Sequence, residues 1–315
     1  MKSSASAPGK VILFGEHFVV YGTRAILCAI NKRIRVTSHL IDERKIKIIS
    51  DIGTVEVDAD SSLSDCIELM KPFVYLATYA LQRFKKNCGI EIKIESEIPP
   101  GIGLGSSSAS CVAAAKSITG LFEKLSREDI LKLAIDAERT IFKNTSGADC
   151  SVCIFGGLAE YDITNGFKKI SSGVEFELII ANSKHPHLTS KVVEKVRRFK
   201  ENNPELFASL CKQESELVQK ALLALAKNDL PEIGSLMSKN QLLLDQIGVS
   251  TEKLDLLVKE AKKMSFGAKI TGAGGGGCII ALVDKSNINQ TLASLKIHDE
   301  VISARIDYGG LLDTF

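Results

Sequence analysis

Apolar residues fall at alternate positions in two segments, 33-RIRVTSHL-40 and 90-IEIKIESEI-98. A period of two buries one face of each, so both are expected as half-buried strands. The runs 11-VILF-14 and 45-KIKIIS-50 extend strand character across residues 10–60. Over residues 66–86 the period changes. Ile67, Met70, Val74, Ala77 and Leu81 recur three and four apart, the spacing of one helix face. The segment 107-SSASCVAAAKSITGLF-122 reads as a buried helix rich in small residues. A further helix is expected from about 127 to 142, opened by Ser126 and Asp129 placed like a capping box. Residues 151–181 return to strand character.

Near residue 180 the texture changes. Residues 189–264 carry helical spacing with weak breaks at Asn202-Asn203-Pro204, Asp229-Leu230-Pro231 and Gly248. A strand (267–271), a glycine run, a strand (278–283), a helix (286–296) and a strand (301–306) follow. This order, one strand, several helices, two strands, a helix and a strand, suits an α+β sandwich of ferredoxin-like type. The final 309-GGLLDTF-315 reads as a loose tail.

Composition narrows the class. The chain has 315 residues, 45% hydrophobic and 25% charged, within the globular range, and its length suits two domains or one large one. A formal net charge of +2 makes no electrostatic case for nucleic acid. No apolar stretch is long enough to span a membrane, and the apolar run before Glu16 and His17 is too short for a signal segment. The eight cysteines lie mostly in apolar segments, as expected of reduced core thiols in a cytoplasmic protein. Cys150 and Cys153 form a lone C-x-x-C without a second pair or a nearby His, which argues against zinc or redox use.

Two glycine-rich segments carry candidate chemistry. In 99-PPGIGLGSSSAS-110, glycines and a serine run stand between a strand and a buried helix. Helix N-termini present unpaired N–H groups with partial positive charge, and glycines let main chain approach an anion. The segment is therefore either a phosphate loop or a tight strand–helix turn with a serine cap. It is not a Walker A loop, because no Gly-Lys-Ser/Thr follows at the required spacing. The second segment, 270-ITGAGGGGCIIAL-282, formally contains G-x-G-x-x-G, but a strand follows it where a dinucleotide fingerprint needs a helix. A hairpin packed tightly on another loop or a ligand fits better. In 138-ERTIFKNTSGADCSVCIFGG-157, Asp149 follows a small-residue turn and is expected to precede a strand. It is a turn-former or a proton acceptor, and Glu138 stands on the preceding helix. Lys10 and the Glu16-His17 pair flank a short apolar strand. His185 and His187, with Thr189, lie between a strand and a helix.

Taken together, four segments resemble the GHMP kinases, the superfamily that includes galactokinase, homoserine kinase, mevalonate kinase and phosphomevalonate kinase. They are 8-PGKVILFGEHFVVYG-22, 100-PGIGLGSSSA-109, 146-SGADCSVCIFGG-157 and 270-ITGAGGGGC-278, the first in the form typical of mevalonate kinases. The resemblance implies an N-terminal ribosomal-S5-like α/β domain over 1–175 and a ferredoxin-like domain over 176–315. It implies ATP phosphates on Pro100, Gly101, Ile102, Gly103, Leu104, Gly105, Ser106, Ser107 and Ser108. Mg²⁺ would be held by Ser107 and Glu138. Asp149 and Lys10 would be catalytic, with Glu16, His17 and Thr189 also facing the acceptor, expected to be mevalonate. Gly272, Gly274, Gly275 and Gly276 would form the third motif. A homodimer is compatible with the resemblance. The chain departs from the familiar mevalonate kinase pattern at three places. Phe18 stands where Ala is usual, Lys143-Asn144-Thr145-Ser146-Gly147 replaces Gly-Asn-Pro-Ser-Gly, and Ser108 replaces Ala. These departures are expected to bear on acceptor choice and to leave the phosphate-binding parts untouched.

Overall fold

The computed structural model describes residues 1–99, 101–185, 189–297 and 300–314. Two sheets organise it. The first is built from β1 (Lys2–Phe14), β2 (Ala25–Ile41), β3 (Lys45–Ser50), β4 (Gly53–Asp58), β5 (Gly89–Ser96), β6 (Leu158–Asp162) and β7 (Gly166–Ile170). Its order is β1-β2-β5-β3-β4, with β6 and β7 attached at the other end of β2. β2 is long enough to pair with β5 through Ile34–Ile41 and with β6 through Ala25–Cys28. β3 runs parallel to β5, and the connection between them carries α1 (Lys71–Arg83).

The helices α2 (Ser106–Thr119), α3 (Arg127–Arg139) and α4 (Ala148–Phe155) complete this half. α2 packs across β1 and β2 and touches α1, α3 and α4. Its buried Ala109, Ala113, Ala114 and Ala115 keep the contact surface thin, so the helix axis lies close to the sheet. Ser126 caps α3, accepting from the Asp129 N–H as the sequence pattern predicts.

The second sheet contains β8 (Glu177–Asn182), β9 (Gly267–Thr271), β10 (Cys278–Val283) and β11 (Glu300–Arg305), in the antiparallel order β11-β8-β10-β9. This is the ferredoxin-like arrangement expected, with both strands of the glycine hairpin at their predicted bounds. Between β8 and β9 run α5 (Thr189–Asn202), α6 (Pro204–Lys227), α7 (Leu230–Gln246) and α8 (Glu252–Lys262), and α9 (Ile288–Lys296) precedes β11. The buried core is continuous through both halves.

Two expectations need correction. Residues 151–155, expected as strand with Asp149 just before it, belong to α4, which begins at Ala148. Cys150, Val152, Cys153 and Ile154 are all buried, so the segment shows neither clean alternation nor a helical stripe, and a short apolar run is ambiguous by period alone. The tail is not loose. β12 (Leu312–Asp313) pairs with β1, the Asp307 carboxylate accepts from Arg33, and Leu311 is buried. These partners are distant in sequence, so nothing near the tail announces them.

Candidate active site

The loop between β5 and α2 alternates anchors with glycines. Ile102 and Leu104 are buried in the core, while Gly101, Gly103 and Gly105 take φ values of 74°, 82° and 72°. Side chains other than glycine's rarely tolerate that region. Gly105 caps α2 without a side-chain hydrogen bond, and the first helical bond runs from Ala109 N–H to Gly105 C=O. The N–H groups of Ser106, Ser107 and Ser108 therefore precede the helical ladder, where an anion satisfies such donors.

Lys10 joins this loop to the rest of the site. Its main-chain N–H donates to Leu104 C=O at 2.9 Å, and its side chain crosses Gly105. A Cβ at position 105 would lie 2.7 Å from Lys10 Cγ, so glycine is needed there on steric grounds as well. The Lys10 stem is buried and its Nζ lies 3.0 Å from Asp149 Oδ2. Asp149 stands in the first turn of α4, with 37% of its side chain exposed, so the pair opens to solvent on the carboxylate side. The register shifts in β1 on either side of Lys10, between Pro8 and Gly9 and between Ile12 and Phe14, bend the strand where this lysine must be aimed.

The second half closes on this assembly through its glycine hairpin. A Cβ at Gly272 would lie 3.8 Å from Gly103 C=O, so the second glycine segment packs beside the loop that precedes α2. Gly274, Gly275 and Gly276 all have positive φ, and Gly275 N–H donates to Val249 C=O at 2.7 Å. His17 Nε2 lies 2.8 Å from Ala273 C=O. A carbonyl only accepts, so Nε2 carries the proton and Nδ1 is the free acceptor when the ring is neutral. Burial holds the ring's pKa below its usual value, which favours that neutral form. His17 has φ 62° and ψ −46°, and Phe18 N–H donates to Glu16 C=O at 2.7 Å. This is the rare, strained type of γ-turn, held by contacts on both sides.

Glu16 is buried rather than open to an acceptor. It accepts from Lys269 of β9, and both side chains are withdrawn from solvent. Burial pushes Glu16 up and Lys269 down, and their mutual attraction opposes both shifts. Glu214 of α6 adds a second buried carboxylate, bonded by Asn240 of α7 and pushed up to about 7 by burial and then by the Glu16 charge. The sequence reading missed Lys269 and Glu214. A lysine inside the otherwise apolar 267-GAKIT-271 was the available signal, since a buried charge needs a partner.

Glu138 is also buried, and the Ser108 hydroxyl donates to its Oε1. Thr145 donates to Oε2. Ser108 and Thr145 are two of the departures from the familiar pattern, so those departures do reach the expected metal carboxylate. Phe18 is fully buried, stacked on Phe207 at 5.9 Å, and fills space against α6. Thr189 is the exposed first residue of α5, and Lys143 is exposed. Pro100 and His187 lie outside the described residues. Ser107 lines a cavity of about 400 Å³ beside the loop, whose walls include Met70, Phe73, Ile94, Ile98 and Cys111. Burial raises the Cys150 and Cys153 thiols well above the usual range, so neither is a reactive thiolate.

A glycine loop stitched to a Lys–Asp pair, closed by a ferredoxin-like half, defines a small-molecule kinase of the GHMP class. The family of the GHMP kinases N terminal domain matches residues 72–157, and that of the GHMP kinases C terminal matches residues 221–300. Mevalonate kinase of Pyrococcus furiosus is 36% identical over 300 residues, covering 90% of this chain and 89% of the relative. The crystal structure of Methanococcus jannaschii mevalonate kinase superposes with a TM-score of 0.86 at 28% identity, covering 98% and 99% of the two chains. That of L. major mevalonate kinase in complex with R-mevalonate does so with a TM-score of 0.84 at 26% identity, covering 98% and 96%. The chain belongs to the mevalonate kinase family. No helix among the described residues is long and apolar enough to cross a membrane.

Proposed function

We propose that the protein transfers the γ-phosphoryl group of ATP to the primary hydroxyl of mevalonate, giving 5-phosphomevalonate. The Lys10–Asp149 ion pair, 3.0 Å long and set against the glycine loop, carries this reading. Phosphoryl transfer through a loose transition state needs positioning and charge stabilisation more than covalent chemistry. The loop N–H groups receive the phosphates. Asp149 takes or orients the acceptor proton, and the Lys10 ammonium lowers the hydroxyl pKa and balances charge as the phosphoryl group moves. The nucleoside enters the apolar cavity beside Ser107. His17 and Thr189 face the acceptor, and Glu16 acts by holding the strained turn to Lys269. The two halves divide near residue 175, and the cleft lies between them.

The site suits Mg²⁺. Its donors are the hard oxygens of Glu138 and Ser107, and no cluster of three or more His, Cys, Asp or Glu among the described residues forms a cage for a metal. Mg²⁺ is commonly bound by one or two carboxylates with phosphates and water. When bound, it would neutralise charge on the nucleotide phosphates. A coupled ADP-release assay across mevalonate, phosphomevalonate, galactose and homoserine tests the acceptor. Turnover with mevalonate is expected to dominate, and preference for another acceptor would overturn the assignment.

A further inference from the structure

We propose that Ser108 and Thr145 are positioning residues that work as one clamp, fixing Glu138 in the orientation from which it meets the nucleotide's divalent cation. The proposal rests on the reading of Glu138 as a group facing that cation. Ser108 on α2 donates to Oε1 and Thr145 donates to Oε2. Thr145 Oγ1 also accepts from the N–H of Gly147 at 3.3 Å. That incoming N–H occupies a Thr145 lone pair and leaves its hydroxyl hydrogen for the carboxylate. The chain of bonds thus runs from the phosphate-loop helix, through Glu138 on α3, to Gly147, the cap of the helix that carries Asp149.

An ionised carboxylate has about four acceptor sites. The two hydroxyls take one on each oxygen, leaving one on each. Rotation of the carboxylate about its last torsion breaks both bonds, so the plane is held from two sides. Ser108 and Glu138 are each 3% exposed, so water does not readily replace a lost hydroxyl. Outer partners of this kind typically contribute 10–100-fold to metal affinity by orienting the ligand that touches the ion.

The test is Mn²⁺ binding, read by the electron paramagnetic resonance of free Mn²⁺, to protein saturated with a non-hydrolysable ATP analogue. Ser108→Ala and Thr145→Val are each expected to weaken Mn²⁺ binding about tenfold. Thr145→Ser, which keeps the hydroxyl, is expected to bind like the unaltered protein. The double variant should lose less than the product of the two single losses, because one broken hold already frees the carboxylate. Metal-free binding of the analogue should be unchanged in Thr145→Val and Thr145→Ser, which separates the clamp from a general loosening of the site. Unchanged or tighter Mn²⁺ binding in either single variant, or losses that simply multiply, would overturn the clamp. Glu138→Gln separates the two levels. If it binds Mn²⁺ normally, the cation-facing reading of Glu138 fails and takes the clamp with it. If it binds weakly while the hydroxyl variants do not, the clamp fails alone.

Discussion

Replacing Glu214 by Gln removes one titrating proton from the buried seam between the two halves while keeping the side-chain shape and an oxygen for Asn240. In the folded protein, burial and the neighbouring Glu16 hold this carboxyl protonated up to about pH 7, against an ordinary glutamate value of 4.5. In the unfolded chain the proton leaves near the ordinary value. Between those two pH values the folded state binds more protons, so its stability falls as pH rises. The Glu214 contribution is fully present below about pH 4.5 and has been lost once pH passes about 7. At about 1.4 kcal/mol per pH unit, that interval amounts to about 3 kcal/mol. The measurement is urea unfolding of the protein and of Glu214→Gln at several pH values from 4 to 8. The stability of the variant relative to the unaltered protein should rise by about 3 kcal/mol across that range. Parallel stability curves would refute the reasoning, because they would show that Glu214 ionises as readily in the fold as in the open chain.

Three further outcomes follow from the same contacts. Asp149→Asn should lower kcat by about 10²–10⁴-fold with nucleotide affinity retained, and single-turnover kinetics with an unchanged rate would remove Asp149 from the chemistry. Lys269→Met leaves the Glu16 carboxylate buried without its ammonium, so chemical denaturation should show a loss of about 3–5 kcal/mol, much of it recovered by adding Glu16→Gln. Phe207→Ala opens a cavity beneath Phe18 and Tyr21 and should cost about 3–5 kcal/mol in the same assay, with little change in metal-free nucleotide binding.

The parts legible in the sequence are those whose cause is local. Alternation in 90-IEIKIESEI-98 follows from one buried face, and Gly101, Gly103 and Gly105 are required by three left-handed backbone angles in one short loop. Ser126 and Asp129 announce a helix start because cap and N–H are three residues apart. Segment 148–155 was not legible, because a short helix with Cys150, Val152, Cys153 and Ile154 all buried loses the stripe that would mark it. Nor was the placement of Glu16. Its neighbours in the chain say that it follows a strand, whereas its partner Lys269 lies on the other half of the molecule.

By itself, then, apolar spacing and glycine positions determined most of the elements and the left-handed glycine loop before α2, because those depend on interactions within a few residues, and four short segments taken together pointed to the class of chemistry. Tertiary structure alone decided which side chains meet. It brought Lys10 to Asp149, set the Ser108 and Thr145 hydroxyls on the two oxygens of Glu138, and sealed Glu16 behind Lys269. Those pairings join residues on different elements; packing within the first half sets the distances to Asp149 and Glu138, and packing of the two halves sets the one between Glu16 and Lys269.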